Sequence, residues 1–294
     1  MATGGTVTNS GLNIMLDRTF NGSPTRSVIS TYKVGSGTTT PAAGDTDLEI
    51  PVPLDGTEAV DDCETDNWTD DTDTDSALNN STYKEGSNSI SLEKDDTNGT
   101  AYGVFKTTTS RDFTSKTLFV WLYITDTTDL VASGTAVTIR FGSDASNYYY
   151  YNVNISSLSN GWNLIYFTSA TATGTTGSPV IGSCDYSRIL LNTDLAADTI
   201  AADRIMMDDW KLASSDDFTG SYETSYPSFD YTNNELEIQC RVTATQANNY
   251  AVSEFGLFNT DGTVLCYSHD VFTAISKTST EEIIFIAKSR LRLV

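Results

Sequence analysis

The stretch "TLFVWLYIT", residues 117–125, decides how the chain is read. Successive side chains of an extended strand point to opposite faces, so Leu118, Val120, Leu122 and Ile124 share one side and Phe119, Trp121 and Tyr123 the other. Both sides are apolar or aromatic. Such a strand is either covered twice or carries an aromatic face that awaits a partner.

Similar short runs surround it, at "SISLEK" (89–94), "AYGVFKT" (101–107), "AVTIRFGS" (136–143), "NYYYYNVNI" (147–155), "GWNLIYFT" (161–168), "SRILLNT" (187–193) and "DRIMMDDWKLA" (203–213). Ser, Thr, Asn, Asp and Gly separate them at spacings suited to antiparallel pairing. The expectation is an all-β chain whose middle, residues 57–216, is a jelly-roll β-sandwich.

The flanks read differently. Ser10 is placed to cap one short N-terminal helix, "GLNIMLDRTF", in which Leu12, Met15, Leu16 and Phe20 recur at helical spacing and are expected to pack on a sheet. "SVISTYKVG" (27–35) and "LEIPVPL" (48–54) read as strands, and "SGTTTPAAGDTD" (36–47) as the loop between them. After residue 217 come "LEIQCRVTATQ", a hairpin "SEFGLFNTDGTVLCYS" turning at "NTDGT", then "VFTAIS" and "EEIIFIAKSRLRLV". Residues 1–56 hold too little to close a core alone. The flanks are therefore expected to form one split, mainly β docking domain, with the middle inserted in a surface loop, as is tolerated where the ends of the inserted domain lie close together.

Charge bounds the function classes. The 294 residues carry 39 acidic and 17 basic side chains, a net −22. Of these, residues 57–216 hold 24 acidic and 9 basic. That balance argues against nucleic-acid binding and against attraction to anionic membranes. No run is long enough to span a membrane, and "MATGGTVTNSG" has neither the basic nor the apolar segment of an export signal. Cys63, Cys184, Cys240 and Cys266 lack C-x-x-C spacing and read as small buried residues ahead of two disulfides.

Three chemistries find little support. "DNWTDDTDTDS" (66–76) alternates carboxylates as an EF-hand does, yet counting from Asp71 its sixth and twelfth positions hold Ser76 and Thr82 rather than Gly and Glu. It reads as a solvated acidic loop. His269 is the sole histidine, no G-x-S-x-G is present, and "GSGTTTPAAG" lacks the Lys of a phosphate loop. The chain is expected not to be an enzyme.

A sugar platform needs aromatic plates and paired hydrogen-bonding groups. In 147–155, Tyr149, Tyr151, Val153 and Ile155 are expected to point inward, and Tyr148, Tyr150 and Asn152 outward. Trp121, Tyr123, Arg140, Tyr150 and Asn152 are the candidate glycan patch. The competing reading is core or subunit-interface packing, since Tyr favours strands and interfaces.

Two resemblances add to this. "GLNIMLDRTFN", "YKVGSGTTTPAAGDTDLEIPV", "SEFGLFNTDGTVL" and "FTAISKTSTEEIIFIAK" in the flanks resemble tailed-bacteriophage virion proteins of the tail-fibre or baseplate-associated type. "DDCETDNW", "YKEGSNSISLEK", "LFVWLYI", "IRFGSDASNYYYYNVNI", "GWNLIYF" and "MMDDWKL" resemble the jelly roll of carbohydrate-binding modules. The resemblance implies a virion structural protein, assembled in the bacterial host cytoplasm and exposed after lysis, whose partners are other virion proteins, further copies of itself and a host-surface glycan. It also implies a structural calcium between the first and last strands of the jelly roll, with Asp62 and Glu64 facing Asp208 and Asp209, and Glu85 or nearby carbonyls completing the shell. A capsid head fibre or decoration protein, and a bacterial glycan-binding module, are the alternatives.

Overall fold

In the computed structural model, which describes residues 6–95, 98–232, 235–259 and 266–290, the chain is built of antiparallel strands with one α-helix and three short 3₁₀ turns. It forms two compact units, one from residues 57–214 and one from residues 1–56 together with 215–294.

The 57–214 unit is a β-sandwich. One sheet, here the tyrosine sheet, runs in the order Gly174–Thr176, Asn147–Asn154, Thr135–Asp144, Cys184–Asn192, Ala101–Arg111 and Thr69–Asp70. The other, the tryptophan sheet, runs Gly161–Thr168, Lys116–Ile124, Ile205–Ser214, Ser89–Glu93 and Asp75–Asn79, with Glu58–Asp61 also paired to Ile205–Ser214. The inward alternates of both sheets make one core. Leu118, Val120, Leu122 and Ile124 meet Val137, Ile139, Phe141, Ile189 and Leu191 there. Tyr149 and Tyr151 pack against that core and Val153 joins it, as the alternation predicts.

A bulge re-aims the Ile205–Ser214 strand. Asp208 lies opposite Trp121 but Lys211 opposite Phe119, and Asp209 adopts φ +45° between them. The extra residue lets Met207 and Trp210, three apart, both enter the core, where Trp210 sits 5.3 Å from the Trp68 ring. Asp208 and Lys211 are left on the outer face.

The split unit pairs a larger sheet, Thr6–Val7, Cys266–Ser276, Ala251–Asn259, Ile29–Gly35 and Gly220–Ser221, with a three-stranded sheet, Ser228–Asp230, Glu235–Val242 and Ile283–Arg290. "VFTAIS" is not a separate strand but the end of Cys266–Ser276, and of "LEIPVPL" only Pro51–Val52 is paired. The expected turn at "NTDGT" lies outside the described residues except for Asn259.

The helix, Asn9–Phe20, departs from expectation. Its cap is Thr8, whose hydroxyl accepts from the Gly11 N–H, rather than Ser10. Leu12, Met15 and Leu16 are exposed, and the helix buries Gly11 and Ile14 instead. The apolar spacing was correct for a helix, but the strand beneath receives only a narrow stripe one position away. The side chain of Phe20 lies outside the described residues.

All four cysteines are free and buried.

Candidate functional site

The outer face of the tyrosine sheet follows from its register. Tyr150, Arg140, Arg188 and Phe105 lie directly opposite one another across four strands. The next row along the strands is Tyr148, Gly142, Tyr186 and Thr107. On the other side lie Asn152, Thr138 and Leu190. Because directly opposed residues share a face, eleven outward positions in three adjacent rows form one surface.

Glycine decides the middle of that surface. A Cβ at Gly142 would collide with the backbone of Tyr148, so no larger residue fits. With the space open, the rings of Tyr148 and Tyr186 come within 6.4 Å over it. Phe105 stands 6.3 Å from Tyr186, and Tyr150 stands 6.5 Å from Tyr148. Tyr148 and Tyr186 are buried as a floor, while Tyr150, Phe105, Arg140 and Arg188 are half-buried around it.

The two arginines differ. Arg188 donates through Nε and Nη2 to Asp71 Oδ2, at 2.9 and 2.6 Å. Arg140 lies 4.7 Å over the Tyr148 ring, and its buried Nε has no hydrogen-bond partner among the described residues. Nor does Arg140 meet any carboxylate there, in a chain of net charge −22. Its guanidinium is oriented by ring stacking rather than by an ion pair. Asn152 Oδ1 accepts from Thr138 Oγ1 at 2.9 Å, which fixes the amide beside them.

Asp71 corrects the reading of "DNWTDDTDTDS" as a solvated loop. Asp71 is held by Arg188, and Asp73, 6 % exposed at φ +70°, accepts from the Asn98 N–H. Only part of the run faces solvent.

Trp121 and Tyr123 are not part of this surface. They lie on the outer face of the tryptophan sheet, on the far side of the sandwich from Arg140, Tyr150 and Asn152. There the segment 84–85 folds over the strand. The Lys84 ammonium stands 4.4 Å over the Trp121 ring, and Asp208 Oδ2 accepts from the N–H groups of Lys84 and Glu85 at 2.6 and 3.0 Å. Trp121 is left 6 % exposed, closed to a flat ligand. Tyr123 is half-buried against Trp162, 5.3 Å away. The five candidates therefore divide three and two between opposite faces.

The carboxylates named for calcium have other partners. Glu64 accepts from the N–H groups of Ser87 and Asn88 and from their side chains, which pulls its pKa down to about 2. Asp62 accepts from the Glu64 N–H. Lys211 pairs with Asp209 at 2.5 Å and with Glu85 at 2.9 Å. Burial pushes Asp208 up to about 7 against the pull of two backbone N–H groups, and pushes Asp209 up to about 6 against Lys211. No group of three or more His, Cys, Asp or Glu side chains placed to hold a metal ion occurs among the described residues.

In the split unit, His269 is buried between Asp45 (2.7 Å) and Glu254 (3.1 Å). Glu254 also accepts from the N–H groups of Gly37, Glu49 and Ile50. A Cβ at Gly37 would enter that carboxylate. The glycine-bearing loop is thus shaped around a buried glutamate, and His269 helps to orient it.

No protein-family model matches the chain, and no curated protein matches it. Solved structures similar to it include a family 11 carbohydrate-binding module from Clostridium thermocellum in complex with a mixed-linked tetrasaccharide. That pair is 10 % identical over 54 % of this chain and 96 % of the module, with a TM-score of 0.38. A xylan-binding domain of family 22 is 12 % identical over 55 % of this chain and 96 % of its own length, with a TM-score of 0.31. An exo-β-agarase is 10 % identical, with a TM-score of 0.37, and is covered over only 24 % of its length.

Proposed function

We propose that the chain is a non-catalytic glycan-contact protein that binds oligosaccharide on the outer face of the tyrosine sheet, carried on a bacteriophage particle by the split unit. The observation that carries the first half is Arg140, stacked on Tyr148 and without a carboxylate partner among the described residues, in the middle of an aromatic surface. Tyr150 and Phe105 offer ring faces to the apolar side of a pyranose, and Arg140, Arg188 and Asn152 offer donors to its hydroxyls. Arg188 with Asp71 supplies a donor and an acceptor side by side. The second half is supported by the sequence resemblance of the flanks to tail-fibre and baseplate-associated proteins. Binding on the outer face of a sheet is weak singly and strengthened by display in several copies.

The test is affinity electrophoresis of the full chain through gels containing a panel of polysaccharides, followed by immunogold microscopy of particles. Retention by at least one polysaccharide, lost in Arg140→Ala and kept in Tyr123→Ala, supports the glycan face. Retention unaffected by Arg140→Ala overturns it. Label on the tail supports host contact, whereas label over the capsid turns the protein into a head decoration.

A further inference from the structure

The strand Ile283–Arg290 ends the three-stranded sheet of the split unit, paired on one side to Glu235–Val242 and on the other to no described strand. Long apolar edges are usually avoided, because their open N–H and C=O groups recruit other strands. This edge is blunted only at its far end, by Lys288. Ile284 and Ile286 are 45 % and 55 % exposed on its outer face, where a charged residue would ordinarily stand. Beside the strand runs a mainly apolar cleft of about 840 Å³, lined among others by Phe255, Phe272, Ile275, Ile283 and Phe285. The Phe255 and Phe285 rings stack at 4.4 Å within it.

We infer that this edge pairs with the same edge of a second copy of the chain, antiparallel and two-fold symmetric about Phe285. The sequence of the strand selects both the partner and the register. An antiparallel strand opposite itself must match residues of the same face. Centred on Phe285, Ile284 of each copy meets Ile286 of the other, and Glu282 of each meets Lys288 of the other. Four isoleucines then form one cluster closed at both ends by an opposite-charge pair. A shift of the centre to Ile286 would set Glu282 against Arg290 but Ile284 against Lys288, which breaks up the isoleucine cluster. The inward residues of the second strand, Ile283, Phe285 and Ala287, would extend over the open cleft.

Each copy carries a net −22 and repels another over most of its surface. At this edge four carboxylates stand against two cations, all paired within each copy, so the apolar match of the isoleucines carries the contact. Lys288 bridges Glu237 and Glu235 at 2.7 and 3.2 Å, and Arg241 bridges Glu282 at 2.5 Å and Glu223 at 2.7 Å. One strand pair with its flanking cluster is smaller than a standard interface of about 800 Å² per partner, so the dimer is expected to be reversible, with a micromolar dissociation constant. The contact is isologous and closes on itself, which limits it to two chains.

Sedimentation velocity on the full chain across a concentration series tests this. A monomer–dimer equilibrium is expected, weakened at least about tenfold in Ile286→Lys, a change at an exposed position that leaves the melting temperature within about two degrees. Lys288→Glu, which faces Glu282 of the other copy, should also dissociate the dimer. A wild type that stays monomeric at hundred-micromolar concentration overturns the inference and leaves the edge to a strand of another protein. A trimer, or a dimer indifferent to both single variants, overturns it equally.

Discussion

The two outer faces of the sandwich are both rich in aromatic residues, yet they differ in what covers them. On the tryptophan sheet the aromatic side chains have internal partners: Lys84 lies over Trp121, Phe119 stacks on Tyr166 at 5.8 Å, and Asp208 pins the covering segment by two backbone hydrogen bonds. On the tyrosine sheet the rings meet tilted or edge-on, and Arg140 is stacked on a ring with no carboxylate partner among the described residues. Aromatic content alone does not mark a binding face. A charged side chain left without an ion pair once the internal contacts are assigned does so better.

The largest expected effect separates stability from binding. Trp121→Ala removes a buried ring and its cation–π contact and should destabilise the 57–214 unit by about 3–5 kcal/mol, read by denaturant unfolding, while the folded fraction still binds glycan. Arg140→Ala and Tyr150→Ala should do the reverse, with less than about 1 kcal/mol of stability lost but affinity reduced at least about tenfold. If Trp121→Ala and Arg140→Ala affect binding alike, the distinction between the faces fails.

Acidity offers a second contrast, because the buried carboxylates sit on the tryptophan face. Asp208, at about 7, and Asp209, at about 6, hold their protons more tightly folded than unfolded. Stability of this unit should therefore fall as pH rises from about 4 through about 7 and be regained on acidification. Glu64 works in the opposite sense only below about pH 4.5, since its pKa is depressed to about 2. Thermal melts between pH 5 and pH 8 should show this slope, and Asp208→Asn should flatten it. A melting temperature that rises with pH over that window would contradict the burial of Asp208.

The smallest effect belongs to the rim. Asp71→Asn breaks a partly exposed pair with Arg188 and should cost under about 1 kcal/mol of stability. Its effect on glycan affinity should be smaller than that of Arg140→Ala, because the Arg188 guanidinium itself is kept.

Much of this surface was legible one strand at a time. Alternation correctly turned Tyr148, Tyr150 and Asn152 outward and Tyr149 and Tyr151 inward, and it placed Arg140 on the outer face of its own strand. The same alternation in "CDYSRILLN" turns Tyr186, Arg188 and Leu190 outward, a signal that was present and unused. Which sheet a strand joins is a matter of long-range pairing, and the period of two carries nothing about it. Trp121 was therefore joined to Arg140 across the thickness of the core. Its covering by residues 84–85 depends on Asp208 of a neighbouring strand, a long-range contact that no local pattern announces. The helix failed for a related reason: its spacing was readable, but the stripe it buries is chosen by the strand it meets.

The most direct test of the glycan face is amide chemical-shift mapping on the uniformly labelled chain, titrated with an oligosaccharide of whichever polysaccharide retards it. The account predicts that the shifted residues cluster on the outward positions of Thr135–Asp144, Asn147–Asn154 and Cys184–Asn192, with Arg140 and Tyr150 among them. A cluster on Lys116–Ile124 and Gly161–Thr168 instead, around Tyr123 and Trp162, would contradict it and move the binding face to the other sheet.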